Sequence, residues 1–348
     1  MKVLLVGSGG REHALAKALA KSPLLTELYV APGNPGTAEL ATNIDIKDGD
    51  IPTLLEFAKA QKMDLTFVGP EVPLSNGIVD QFQAEGLGIV GPTQAGAQLE
   101  SSKSWAKAFM KRHGIPTAAY EEFTEFEPAR DYLLSRNTYP IVIKADGLAA
   151  GKGVSVSQNE KEALAFLNSV MIDNAFSDAG NRVVIEDFLE GEEASLFAFM
   201  DGETIVPMVP AQDHKPVFDN DKGPNTGGMG AYTPTPLVTD KVLEQVDREV
   251  FKPVLDGMKK DGISFVGIVY AGLMIVDDRA SIVEFNARFG DPETQVVLPR
   301  LETDLLEIFV AMNEKRLKDI DIKWNDDAVV NVVVSSEGYP GSYHKGDV

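Results

Sequence analysis

Residues 139–156 read YPIVIKADGLAAGKGVSV: an apolar run, a lysine at its end, a glycine-bearing loop with a second lysine, and a second β-branched run. The pattern is strand, loop, strand, with Lys144 closing the first strand and Gly147, Gly151 and Gly153 exposing backbone N–H groups in the loop. Two ammonium groups, Lys144 and Lys152, flank these donors, so the loop can cradle a polyphosphate. It lacks the G-x-x-x-x-G-K-[ST] order of a Walker loop and leads into a strand instead of a helix. A plain hairpin with solvated lysines is the alternative. It suits Lys152 better than Lys144, whose strand is wholly apolar.

Two later stretches carry chemistry of the same kind. In RVVIEDFLEGEEASLFAF, residues 182–199, Glu186 closes a buried-looking strand, the DFLEG connector can lie along an adenine ring, and Glu193 stands where a ribose hydroxyl can reach. Acidic loops are also common solvated faces. In SIVEFNARFGDPETQ, residues 281–295, strict alternation puts Glu284, Asn286 and Arg288 on one face, with Val283, Phe285 and Ala287 on the other. Two oxygen ligands beside a guanidinium suit a magnesium-bound phosphate, since Mg²⁺ takes oxygen donors and Arg stabilises phosphoryl charge. A surface strand with a salt bridge is the alternative.

The first hundred residues alternate short buried strands (KVLLVG, ELYV, LTFVGPEVPL, GIVGP) with helical patterns, which predicts a parallel sheet with crossover helices. Their Gly/Pro loops gather at the carboxyl edge, where open α/β sheets bind ligands. VLLVGSGGREH, residues 3–13, resembles a dinucleotide fingerprint but fails both specific tests: Glu12 stands at the third glycine position, and the second strand ends in Ala31 and Pro32 instead of an acid. Glycines leading directly into a helix still suit a phosphate, or serve as a packing turn alone. After a helical pattern closed by Gly114 and Pro116, a smaller unit runs from about Tyr120 to Glu186. Strand-rich sequence follows, with a hairpin turn at DDRA, residues 277–280.

At 348 residues the chain is long enough for two or three domains. A net charge of -21 argues against tight non-specific binding to nucleic acid or anionic membrane, so any anionic ligand needs a local positive site. The absence of Cys excludes disulfides, thiolate metal sites and a Cys nucleophile. Four scattered histidines make a His-based metal site an unfavoured reading. The short apolar run Val3–Val6 is no signal-peptide core, and nothing approaches a membrane span, so a cytoplasmic protein is expected.

The order strand-Lys-Gly loop, Glu-hinge-Glu, then E-x-N-x-R resembles the ATP-grasp superfamily. GSGGREHA, PGNPG, GPEVPL, KADGLAAGKGV, QDHK, GPNTGGMGAY and EFNARFGDPETQ together resemble its phosphoribosylamine–glycine ligase family across nearly the whole chain. That resemblance implies an α/β protein in which an N-terminal parallel-sheet pre-ATP-grasp domain (residues 1–105) precedes a two-part ATP-grasp domain (106–325) with a lid subdomain at 120–190. It implies ATP and Mg²⁺ or Mn²⁺ as cofactors, and glycine and 5-phosphoribosylamine as substrates joined through a glycyl phosphate. No protein nucleophile is needed, which agrees with the composition. A monomer or weak dimer is expected.

By residue, the resemblance implies that Lys103 and Lys144 contact ATP phosphates together with Gly151, Lys152 and Gly153. Glu186, Phe188, Leu189 and Glu193 form the adenosine hinge, with Phe188 and Leu189 acting through backbone. Glu284 and Asn286 are the metal ligands. Arg288 stabilises the transferring phosphoryl group or the tetrahedral oxyanion. Gly9, Gly10, Gly33, Asn34 and Pro35 receive the phosphoribosylamine, while Asp213, Lys215 and Asn225, Thr226, Gly227, Gly228 and Met229 line the acceptor side. Two features depart from the family pattern: Pro216 follows QDHK where a basic residue is expected, and residues 326–348 read as the beginning of a further C-terminal domain that is incomplete.

Overall fold

The computed structural model describes residues 1–148, 153–173, 175, 177–220 and 222–344. Gly151 and Lys152, two of the expected phosphate contacts, lie outside the described residues.

The N-terminal strands are β1 (Lys2–Gly7), β2 (Glu27–Pro32), β3 (Thr42–Asn43), β4 (Leu65–Val68) and β5 (Ile89–Pro92), all paired in parallel in the order β5-β4-β1-β2-β3. Val3–Val6 are fully buried, as a strand covered on both faces requires. LTFVGPEVPL is only partly strand. Gly69 and Pro70 stop β4, and Glu71 begins the short helix Glu71–Ser75. Likewise the helical pattern before Gly114 divides at Ser102, whose extended backbone ends the helix Gln94–Ser101 and whose hydroxyl accepts from Trp105 N–H to cap the helix Lys103–His113.

The expected lid segment builds its own sheet. Strands β6 (Tyr120–Phe123), β7 (Ile141–Ala145), β8 (Val154–Ser157) and β9 (Val183–Asp187) pair antiparallel in the order β6-β9-β7-β8. The helices Phe126–Ser135 and Glu160–Met171 supply Ala129, Leu133, Ala163 and Leu167 to a separate apolar cluster with Ile141 and Ile143.

Next come β10 (Glu192–Met200), β11 (Ile205–Pro207), β12 (Gln212–Asp213), β13 (Pro216–Phe218), β14 (Lys222–Asn225), β15 (Gly230–Thr233), β16 (Phe265–Val276) and β17 (Arg279–Asn286). Asp277 and Asp278 form the predicted tight turn between β16 and β17, both with positive φ. Strand β16 pairs with β10 and β17, and its first residues also meet β5, so the N-terminal parallel sheet runs on into the antiparallel one. One core spans the junction: Phe67 stacks on Phe309 at 4.2 Å, and Phe289 packs against both Phe67 and Phe197. Residues 329–332 form β18 (Val329–Val332), which pairs with β15. No helix among the described residues is long and apolar enough to cross a membrane.

The opening glycines fold around Glu12. Its buried carboxylate accepts from Gly9 N–H at 2.6 Å and pairs with Arg11. A Cβ built at Gly69, at the end of β4, would stand 2.0 Å from Glu12 Oε1. The residue that replaces the third fingerprint glycine is therefore the packing centre of the β1 and β4 loops. Gly69→Ala should cost about 1–3 kcal/mol in a denaturant titration, and much less when Glu12 is already alanine.

Candidate active site

A cavity of about 450 Å³ lies between the β6-β9-β7-β8 sheet, the β16–β17 hairpin and the carboxyl edge of the parallel sheet. On the side of the β6-β9-β7-β8 sheet the SS-K stretch is explained by Asp146. Ser102 Oγ, Ser104 N–H and Ser104 Oγ all donate to the Asp146 carboxylate, and Lys103 Nζ then reaches the Gly147 carbonyl at 2.8 Å. The base of the glycine loop is thus tied to a helix N-terminus. Gly153, Phe188, Leu189 and Glu193 also line the cavity.

Glu186 is not a solvated hinge acid. It is buried between two lysines, with Lys107 Nζ 3.0 Å from one carboxylate oxygen and Lys144 Nζ 3.1 Å from the other. Lys144 also donates to the Val283 carbonyl at 2.9 Å, which links β7 to β17. Lys107 donates to Thr117 Oγ1 at 2.7 Å. Sequence reading missed Lys107, because one lysine in SWAKAFMKRH looks like any exposed helical residue.

On β17 the register explains the functional face. Gly272 pairs with Glu284 and Leu273 with Ile282, so Val283 is a bulge. Ala280 and Ile282 before it, and Phe285 and Ala287 after it, all enter the same core, while Glu284, Asn286 and Arg288 line the cavity. Val283 itself lines the cavity, contrary to simple alternation, because the extra residue changes the parity of the strand.

The charges here are dense and buried. Burial works against the Glu284 carboxylate, but Lys215, Lys144, Lys103 and Arg288 together hold it below the ordinary carboxylate range. Burial lowers Lys103, and Glu284 only partly restores it. Burial likewise opposes the Lys215 charge, yet Asp213, Tyr270 and Glu193 raise it well above the usual value. Lys215 lies 2.8 Å from Glu193 and 3.5 Å from Asp213. Nearby, Glu293 accepts from Tyr270 Oη at 3.0 Å and Ser195 Oγ at 3.1 Å, and burial together with Asp213 raises its pKa.

Arg288 sits between two acids from the N-terminal half: its NH2 group is 2.9 Å from Glu100 and its Nε is 3.3 Å from Glu71. Burial opposes the Arg288 charge, but Glu100 and Glu71 outweigh it and raise the pKa. Glu71 and Glu293 stood inside quoted motifs without an assigned role. Glu100 and Tyr270 carry no local signal.

Of the residues expected to hold the other substrates, Asp213, Lys215, Asn225, Thr226 and Gly227 line the cavity, whereas Gly9, Gly10, Gly33, Asn34, Pro35, Gly228 and Met229 stand outside its lining. Asn34 Nδ2 donates to the Ser8 and Gly9 carbonyls, which joins the PGNPG loop to the opening glycines. Arg11 N–H donates to Asp291, placing that turn against the GDP turn after β17. Thr226 Oγ1 donates to the Lys215 carbonyl, Met229 N–H to the His214 carbonyl, and Gly227 N–H to Tyr339 Oη. At Gly228 φ is +121°, and a Cβ there would be 2.4 Å from Pro292, so only glycine fits. Asn225 pairs with Pro216 in the β13–β14 hairpin. Pro216 begins β13, a position where its missing N–H is tolerated.

Among the described residues no group of three His, Asp, Glu or Cys side chains could hold a metal alone. Glu284 and Asn286 nevertheless fit a divalent cation that is completed by phosphate oxygens and water, since Mg²⁺ is commonly held by one or two protein oxygens. The surrounding Lys215, Lys144, Lys103 and Arg288 oppose a further cation, so such an ion depends on the phosphate oxygens that would share those charges.

The fold is that of the ATP-grasp class of ligases. The family described as phosphoribosylglycinamide synthetase matches residues 1–100 with its N domain and residues 101–294 with its ATP-grasp (A) domain. The phosphoribosylamine–glycine ligase of Halalkalibacterium halodurans is 52% identical over 346 residues, covering 99% of this chain and 80% of that protein. That of Escherichia coli K12 is 52% identical over 351 residues, covering 100% of this chain and 82% of that protein. The solved structure of the Thermotoga maritima ligase superimposes with a TM-score of 0.85 at 33% identity, covering 99% and 83% of the two chains. A Campylobacter jejuni biotin carboxylase shares the fold alone, with a TM-score of 0.71 at 17% identity over 94% and 74%. The chain belongs to the phosphoribosylamine–glycine ligase family.

Burial pushes Lys107 down to about 8, with Glu186 pulling it up and Lys144 pressing it further down. The unfolded chain keeps this proton to about pH 10.4. Between those values the unfolded state binds more protons, so rising pH favours the folded state. The wild-type denaturation midpoint should therefore rise relative to Lys107→Met from about pH 7.5 to about pH 9.5.

Proposed function

We propose that this chain joins glycine to 5-phosphoribosylamine with ATP, giving glycinamide ribonucleotide, ADP and phosphate in purine biosynthesis. The observation that carries the reading is the meeting of Lys103, Lys144, Glu284, Asn286 and Arg288 in one cavity. The 52% identity to ligases named for this reaction supports it.

A glycine carboxylate oxygen attacks the γ-phosphorus of ATP as the bond to the bridging oxygen breaks, and ADP leaves. The amine nitrogen of phosphoribosylamine then attacks the carbonyl carbon of glycyl phosphate. Phosphate leaves, and the nitrogen loses a proton. The protein supplies position and charge instead of a nucleophile. Lys103 and Lys144 face the nucleotide phosphates, and Lys107 acts through Glu186 by holding it against Lys144. Phe188, Leu189 and Glu193 take the adenosine end. Glu284 and Asn286 would hold the divalent cation, Mg²⁺ or Mn²⁺, which neutralises phosphate charge when bound. Arg288 stabilises the transferring phosphoryl group or the tetrahedral oxyanion. Gly9, Gly10, Gly33, Asn34 and Pro35 receive the ribosylamine phosphate, with Asp213, Lys215 and residues 225–229 on the acceptor wall. The four-stranded sheet of residues 120–190, which has its own core, closes as a lid over ATP.

A coupled ADP assay tests the activity: release should require both glycine and phosphoribosylamine, and release without glycine would sink the reading. Arg288→Ala should lower kcat about a hundredfold or more with little change in ATP affinity. Glu186→Ala should instead weaken ATP binding about tenfold, by uncoupling Lys107 from Lys144. Equal losses of both quantities in both variants would undo the division of roles. For the lid, ATP should slow amide exchange in β7 and β8, and unchanged exchange there would count against closure.

A further inference from the structure

Shortly after Lys144 comes an acid that the mechanism above leaves unused. Asp146 follows directly on β7, and its carboxylate reaches across to the start of the helix Lys103–His113. One oxygen accepts from Ser104 N–H at 3.1 Å and from Ser102 Oγ at 3.2 Å, and the other accepts from Ser104 Oγ at 2.7 Å. Both chain neighbours of Lys103 are therefore held by one side chain. The Lys103 ammonium in turn donates to the carbonyl of Gly147, the residue next to Asp146, at 2.8 Å. Arg182, just before β9, closes the arrangement: its NH1 donates to Ser104 Oγ at 3.0 Å, and its carbonyl accepts from Asp146 N–H at 2.9 Å. Lys103 and Lys144 line the cavity, whereas Asp146 stands behind its lining.

We propose that Asp146 is a positioning residue that aims Lys103 at the nucleotide phosphates and fixes its spacing from Lys144. The inference rests on the reading of Lys103 as a phosphate contact. A lysine carries its charge on a flexible carbon stem, so its ammonium has a fixed place only when its backbone is fixed and its tip is held. Asp146 does the first by gripping Ser102 and Ser104, and the Gly147 carbonyl does the second. Asp146 and Lys144 also belong to one stretch of chain, so the grip sets the two phosphate lysines against each other. The first turn of a helix leaves backbone N–H groups without partners inside the helix, and Ser104 N–H finds its acceptor in this carboxylate. A positive side chain at that end of a helix is unfavourable, and the adjacent anion offsets it. Burial lowers the Lys103 pKa, Glu284 opposes that, Lys144 adds to it, and Asp146 again opposes it. An ammonium held in place in this way meets ATP without the ordering cost of a free side chain.

Calorimetric titration with ATP and Mg²⁺ tests this on Asp146→Ala, Asp146→Asn and Ser104→Ala, each alone and combined with Lys103→Met. Asp146→Ala should weaken ATP binding about tenfold, and Asp146→Asn, which keeps one acceptor oxygen, should recover part of the loss. With Lys103→Met already present, Asp146→Ala should cost less than about twofold, because the lysine through which it acts is gone. A loss of equal size in both backgrounds marks a merely structural role and overturns the proposal, as does wild-type ATP affinity in Asp146→Ala. If Asp146→Ala does not fold, Ser104→Ala decides: it removes the hydroxyl contact and keeps the backbone one. It should weaken ATP binding about threefold, again only while Lys103 is present, and an undiminished loss beside Lys103→Met overturns the proposal. Wild-type ATP affinity in Lys103→Met alone has a different meaning: the phosphate reading of Lys103 has failed, and the proposal falls with it.

Discussion

The register of β17 skips Val283, and the frame of everything after it follows from that one extra residue. Without the bulge, Ile282 and Glu284 would share a face, and either the core would receive a carboxylate or the cavity would lose one. With it, Phe285 and Ala287 join Ala280 and Ile282 in the apolar layer, and Glu284, Asn286 and Arg288 turn toward the cavity. The bulge also leaves the Val283 carbonyl available to Lys144, so the feature that aims β17 also joins it to β7.

Around that strand the protein holds an unusual density of buried charge. Lys107, Lys144, Glu186 and Glu100 are each almost closed to solvent at the side chain and each is paired, and the partly exposed Arg288 pairs with Glu100. Removing one partner of such a pair leaves an uncompensated charge, which costs more than the pair contributes. The arrangement instead fixes geometry. An acidic chain with a net charge of -21 repels anions on average, so a polyphosphate site depends on concentrating its few cations in one cleft.

The parallel N-terminal sheet, the lid hairpin and the Asp277–Asp278 turn were legible because each rests on local periodicity and turn chemistry. Glu284, Asn286 and Arg288 were legible as candidates because they alternate with apolar residues, and Lys144 because it closes a wholly apolar strand. Lys107 and Glu100 were not. Both lie on helices where a charged residue normally faces water, and only the packing of those helices against β9 and β17 buries them. Glu12 was legible as a departure from a glycine fingerprint, but its use as the packing centre for Gly9 and Gly69 was not.

By itself the sequence determined the strand-helix order, the exclusion of cysteine chemistry, and the residue types of a candidate site, Lys144 at the end of an apolar strand and the E-x-N-x-R strand. The tertiary structure decided which charges are buried and which are paired. The reason is physical: alternation and capping are set by neighbours in the chain, whereas the pairing of a buried charge depends on what another element brings within about 3 Å. Glu71 and Glu100 meet Arg288 from more than 180 residues away in sequence only because β5 and β16 join two sheets into one.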